Sequence, residues 1–114
     1  MDLNVKKTGN VTTIYLQGRL DVHLSADIEK EINKLITSET SSNFILNLKE
    51  VEYMSSSGLR IFVSTMRILK ETKRKLVLCE MNNAVRKIFE VVELTDMFDI
   101  FSSENEALEF LKKA

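Results

Sequence analysis

Ser55, Ser56 and Ser57, followed at once by Gly58, form the densest set of chemically usable side chains in this sequence. They stand between an apolar run, Phe44-Ile45-Leu46-Asn47-Leu48, and an amphipathic pattern that starts at Leu59. A serine at a helix start can do two things. Its oxygen can accept a hydrogen bond from a free backbone N–H and cap the helix. It can also carry a phosphate, because the free N–H groups and the positive end of the helix dipole tolerate negative charge there. One cap needs one hydroxyl, so three in a row leave room for docking or modification. Spacing alone does not choose between a capped turn and such a site. Gly58 is expected to leave the approach to this helix end sterically open.

Catalytic chemistry finds little support. A serine hydrolase elbow wants G-x-S-x-G with a base and an acid. Met54 stands where the first glycine belongs, and the only histidine, His23, falls in a loop by this reading. A phosphate-binding P-loop needs G-x-x-x-x-G-K-[ST], which glycines at 9, 18 and 58 cannot make. His23 has no cysteine or histidine neighbours with ligand spacing, so no metal site is expected. Cys79 reads as a small core residue at a strand end. The chain is expected to be no enzyme, with no catalytic residue and no cofactor. A basic run, Arg67, Lys70, Lys73, Arg74 and Lys75, reads either as the solvated end of a helix or as a surface for an acidic patch on a protein partner.

The whole chain sets the frame for these residues. Its 114 residues suffice for one core, so a single domain over 1–114 is expected. Sixteen basic residues against seventeen acidic ones give a net charge of −1, which offers no general attraction to nucleic acid or membrane. One cysteine excludes an intrachain disulfide and fits a reducing cytoplasm. No signal peptide and no apolar stretch of membrane-spanning length are read from the sequence.

The elements that must position the serines follow from periodicity. Leu3 and Val5, then Val11, Thr13 and Tyr15, alternate around Thr8-Gly9-Asn10, which predicts an antiparallel hairpin. The second strand is expected over Val11–Leu16, with Gly18 to Leu24 as a loop. Ser25 is the expected cap of a first helix whose face is Ile28, Ile32, Leu35 and Ile36. The run at Phe44–Leu48 predicts a strand covered on both faces, joined to the serines by a short polar link. Leu59, Phe62, Val63, Met66 and Leu69 mark the next helix. Leu76-Val77-Leu78-Cys79 predicts another buried strand, and Asn82 or Asn83 caps a helix with Val85, Ile88, Phe89 and Val92 on one face. Phe98, Ile100 and Phe101 suggest a last short strand, and Ser103-x-x-Glu106 opens a terminal helix as a capping box. The order is ββαβαβαβα: an α/β fold with a mixed, mostly parallel sheet and an N-terminal antiparallel hairpin.

Nearly the whole chain, from about Leu3 to Leu111, resembles the STAS domain family, and within it the single-domain bacterial anti-sigma factor antagonists. Tyr53-Met54-Ser55-Ser56-Ser57-Gly58-Leu59 is similar to the family's aromatic-[MI]-[DS]-S-[SAT]-G-L signature, and Gly18-Arg19-Leu20-Asp21 to its G-x-[LI]-D element. The resemblance implies a STAS-like fold and partner switching. In that scheme the unphosphorylated antagonist binds an anti-sigma serine kinase and the sigma factor is released. The kinase then phosphorylates one serine and lets the antagonist go, and a serine phosphatase resets it. Carried over, the phosphorylated residue is Ser56, and Asp21, Ser55, Ser57, Gly58 and Arg60 belong to the partner-binding surface. Ser55 stands where many members carry aspartate, and Arg60 where many carry a second glycine. Neither direct nucleic-acid contact nor membrane contact is implied. The alternative is a STAS subunit of a transport or lipid-trafficking complex that works without phosphorylation.

Overall fold

The computed structural model describes residues 3–113. Five strands form one sheet in chain order: β1 (Asn4–Thr8), β2 (Val11–Leu20), β3 (Asn43–Met54), β4 (Leu76–Cys79) and β5 (Asp99–Phe101). β1 pairs antiparallel with β2 through the Gly9-Asn10 turn, and every other pair is parallel. The helices are α1 (Val22–Ser38), α2 (Ser56–Glu71), α3 (Asn83–Val91) and α4 (Glu104–Lys112), with one 3-10 turn at Thr95–Met97. Element order and sheet type are those expected from the sequence.

Because β2 to β5 lie side by side in sequence order, one repeated crossover sense puts α1, α2 and α3 on the same face. That face is the larger core. Ile14, Leu16, Phe44, Leu46, Leu48 and Leu78 of the strands meet Ile28, Ile32 and Ile36 of α1, Leu59 and Phe62 of α2, and Val85 and Phe89 of α3. The intervening strand residues point the other way. Val11, Ile45, Val77 and Cys79 pack under Ala107 and Leu111 of α4, which alone covers that side. Burial on both faces explains why the central strands read as continuous apolar runs rather than alternating ones. Cys79 is fully buried, and desolvation first, then Glu80 and Glu104, pushes its thiol up to about 12.

Several boundaries differ from those expected. β2 continues past Leu16 to Leu20, and β3 past Leu48 to Met54, because the two extensions pair with each other. Gln17 lies beside Glu50, Arg19 beside Tyr53 and Leu20 beside Met54, with bulges that shift the register twice. Backbone pairing holds these residues extended although charged and amide side chains interrupt the apolar ones. Gly18 sits at the second bulge with φ +85°, a conformation that other residues rarely adopt. No loop therefore separates β2 from α1. Asp21, not Ser25, caps the helix, and Ser25 is buried in its first turns. His23 likewise lies on α1 rather than in a loop. Val92, expected on the face of α3, is the residue at which that helix ends, and it stays exposed.

Candidate functional site

The β2–β3 extension delivers two helix starts to one end of the sheet. α1 opens directly after Leu20 and α2 directly after Met54, and Leu20 and Met54 are paired neighbours. Ser55 ties the two together. Its backbone N–H and its hydroxyl both donate to the Leu20 carbonyl, each at 3.0 Å. The same hydroxyl oxygen accepts the Gly58 N–H at 3.3 Å, so Ser55 is the cap of α2. α2 thus begins three residues earlier than the apolar pattern indicated, because capping, not burial, decides where its first turn starts.

Ser56 is the first residue inside α2. Its side chain is exposed and its hydroxyl has no hydrogen-bond partner among the described residues. Ser57 follows, half-buried. No acidic residue stands in the first turn, so the positive end of the helix is uncompensated by its own side chains. Arg60 is exposed one turn further on, at i+4 from Ser56 and hence on the same side of the helix.

Gly58 has a different part from the one expected. It is buried, and a Cβ on it would lie 2.9 Å from the Leu20 carbonyl oxygen and 2.9 Å from Met54 Cγ. Its missing side chain lets α2 sit down on the end of β2 rather than opening a path for a partner. Asp21 is exposed. Its Oδ1 accepts the N–H of Leu24 at 3.0 Å and of His23 at 3.1 Å. The Leu24 bond first, with that from His23, holds its carboxyl below the ordinary 3.8, although desolvation acts the other way. A cap role is therefore established by geometry for Asp21, and its second carboxylate oxygen remains outside these bonds.

Three further surface residues belong to this end of the sheet. Tyr53 is 41% exposed and Val22 64% exposed, unusual for large apolar side chains. The Arg19 guanidinium lies 4.7 Å from the centroid of the Tyr53 ring. Sequence reasoning did not single these out as contact residues, because β2 and β3 were read as ending before them. Strand pairing carried on to Leu20 and Met54 is the signal that finds them. No group of histidine, cysteine or acidic side chains that could hold a metal occurs among the described residues. None of their helices is long and apolar enough to cross a membrane. Chemically, the arrangement offers a solvated hydroxyl at a helix start, within a surface of aromatic, aliphatic and charged side chains. It offers no base aligned on that hydroxyl.

A five-stranded sheet of this order, with a serine-capped α2 beside the end of β2, defines a mixed α/β domain. The STAS domain model matches residues 2–107, and the chain belongs to that family. It is 26% identical over 102 residues to an anti-sigma-B factor antagonist of Staphylococcus aureus, covering 88% of this chain and 94% of that protein. It is 22% identical over 108 residues to an anti-sigma F factor antagonist of Paenibacillus polymyxa, covering 95% and 92%. Among solved structures, the anti-sigma factor antagonist SpoIIAA in its unphosphorylated form superposes with a TM-score of 0.84 at 24% identity, over 99% of this chain and 98% of that one. The phosphorylated form of SpoIIAA, a Bacillus cell fate determinant, superposes with a TM-score of 0.73 at 24% identity, over 96% and 99%.

Proposed function

We propose that this STAS protein is an anti-sigma factor antagonist. Unphosphorylated, it docks on an anti-sigma factor that is also a serine kinase, and the sigma factor is freed. Phosphorylation of Ser56 ends the docking, and a serine phosphatase restores it. The observation that carries this reading is the Ser56 hydroxyl, solvated and unpartnered at an uncompensated helix start. The relatives named above as antagonists and the phosphorylated state of SpoIIAA support it.

The energetics agree with a switch that leaves the fold alone. A phosphate on Ser56 adds about −1.5 to −2 charges at a point where the helix dipole favours them. Arg60, one turn along, is a cation of the right reach to pair with it. In a close-packed interface the same charge loses its water, and desolvation of an unmatched charge costs several kcal/mol. Docking is therefore lost without any rearrangement of the sheet. Asp21, Ser55, Ser57 and Arg60 would form the contact surface with Ser56, and Gly58 would hold that surface in place from beneath.

The test is to incubate the protein with ATP and its cognate kinase and map the modified residue by mass spectrometry. Phosphate on Ser56 is expected. Modification confined to Ser55 or Ser57 overturns the assignment. Absence of modification by any cellular kinase favours a STAS subunit of a transport or lipid-trafficking complex instead. Asp21→Ala is expected to lower kinase affinity and phosphorylation together, beyond the loss of stability that removal of a cap brings. Full binding by a destabilised Asp21→Ala protein would remove Asp21 from the contact surface and leave it a cap alone.

A further inference from the structure

A second surface lies at the opposite end of α2. From Ser56 to Lys70 the helix rises about 21 Å, so the two ends are separate regions. There, between the last turn of α2, the start of β4 and the 3-10 turn, runs an open groove of about 360 Å³. Its floor is apolar: Met66, Leu76 and Met97, the last 49% exposed. Its rim is basic, with Lys70, Lys73 and Lys75. None of these three ammonium groups has a carboxylate within 4.0 Å among the described residues. Asp99 is the one acidic residue on the wall.

The neighbouring Arg74 shows by contrast what a structural cation looks like here. Its Nη1 donates to the carbonyls of Glu39 at 2.7 Å and Ile36 at 3.3 Å, closing the end of α1. The lysines carry no such duty, apart from Lys75 lying 5.2 Å from the centroid of the Phe110 ring. Lys73 also holds φ +59° at the position that ends α2, where glycine is the usual occupant.

The kind of anion can be narrowed. A compact oxyanion such as phosphate wants converging backbone N–H donors. This is the C-terminal end of α2, and the N–H groups of residues 72 to 75 are all engaged. Thr72, Lys73 and Arg74 donate to Leu69 or Lys70 carbonyls, and Lys75 donates to the Asn43 side chain. What remains is three ammonium groups without a carboxylate partner, that of Lys75 resting over the Phe110 ring, around a soft apolar floor with two flexible methionines able to adapt to a side chain. We propose that this groove docks an acidic peptide segment of a protein partner, one bulky apolar side chain seated on Met66, Leu76 and Met97 and its carboxylates on Lys70, Lys73 and Lys75. The surface works independently of Ser56, so a partner held here can stay bound through the phosphorylation cycle.

The experiment titrates isotope-labelled full-length protein with a short peptide of glutamates flanking one phenylalanine, read by backbone amide shifts. Saturable shifts clustered at Lys70, Lys73, Leu76 and Met97 are expected, with none at Ser56. Replacing the peptide's phenylalanine by alanine, or combining Lys70→Gln with Lys75→Gln in the protein, should weaken binding about fivefold. Lys73→Gly should also weaken it while leaving the melting temperature equal or higher, since glycine relieves the backbone there. Ser56→Asp should leave the affinity unchanged. Shifts scattered over the surface, no saturation, or equal affinity for the alanine peptide would overturn the proposal. So would displacement of the peptide by inorganic phosphate alone or by phosphatidylglycerol vesicles alone, which would point to a compact anion or a lipid surface instead.

Discussion

Two helices of this protein begin at a serine cap within a run of serines, and they do opposite things with it. At α4, Ser103 accepts the Glu106 N–H at 3.2 Å, and the Glu106 carboxylate in turn takes hydrogen bonds from the Ser102 and Ser103 hydroxyls. Glu104 and Glu106 both stand in the first turn and compensate the helix dipole. Glu104 is further engaged by the Asn47 amide at 2.9 Å and the Tyr15 hydroxyl at 3.1 Å. Burial first, and then this bond, push the Tyr15 hydroxyl up to about 12. The serine hydroxyls and both acids there have structural partners. At α2 the first turn has no acid, Ser55 alone makes the cap, and Ser56 is left over. The same residue type is closed into the fold at one end and left open to solvent at the other, where the Ser56 hydroxyl has no partner among the described residues.

The largest effect that tests this contrast concerns added charge. Ser56→Asp should cut affinity for the proposed anti-sigma kinase at least tenfold, about 1.4 kcal/mol. It should leave the fold intact or stabilise it by about 0.3–1 kcal/mol. Asn105→Asp, which adds a third acid to the first turn of α4, should bring no such gain. Calorimetry and a binding titration on both variants compare the two starts directly. Equal stability changes, or full docking by Ser56→Asp, would break the distinction.

Next in size is the seat of α2. Gly58→Ala places a methyl against the Leu20 carbonyl, which belongs to paired backbone and gives way poorly. Overpacking of about 1–3 kcal/mol should outweigh the helix-propensity gain of alanine and lower the denaturant midpoint. A more stable variant would show that the contact is loose and that α2 does not depend on it.

The caps themselves come third. Ser55→Ala should cost about 1–2 kcal/mol, because it removes a cap and the link to Leu20 together. Ser103→Ala should cost about 0.5–1 kcal/mol, since Ser102 still holds Glu106. Urea unfolding of both variants sets the order. The reverse order would mean that α4, not α2, relies on its serine.

Acid separates the starts more gently. The Ser102 hydroxyl first, then that of Ser103, holds the Glu106 carboxyl below its ordinary 4.5, and Asp21 lies below 3.8 for the reason given above. A carboxyl held low when folded contributes stability that is present above its unfolded pKa and lost as pH falls through the folded one. The loss therefore begins beneath 4.5 for α4 and beneath 3.8 for α1, while the start of α2 has no carboxylate to protonate. Denaturant midpoints measured from neutral pH downward should fall less steeply in Glu106→Gln and Asp21→Asn than in the parent. Parallel profiles would show that these carboxylates do not contribute.

Much of this was legible in the chain. The runs at Phe44–Leu48 and Leu76–Cys79, the helical spacing of Ile28, Ile32 and Ile36, and the Ser103 to Glu106 box are local patterns, and the elements they indicate are present. Residues 17–20 and 49–54 were not legible as strands. Charged and amide side chains interrupt them, and what holds them extended is the ladder each forms with the other, with Leu20, Val51 and Met54 buried beneath it. From that one omission followed the misplaced cap at Ser25, the supposed loop around Asp21, and the missed exposure of Tyr53 and Val22.

The sequence by itself determined the order of elements, the two-sided burial of the central strands and the presence of spare hydroxyls beside Gly58. Those properties depend on side-chain periodicity and on residue type, both of which are written along the chain. Only the tertiary structure decided which serine is spare. That depends on the Leu20 carbonyl, brought beside Ser55 by pairing across 35 positions of sequence, which takes the hydroxyl of Ser55 and leaves that of Ser56 to solvent. A hydrogen bond to a distant backbone atom has no signature in composition or spacing, because the partner exists only once the strands have aligned.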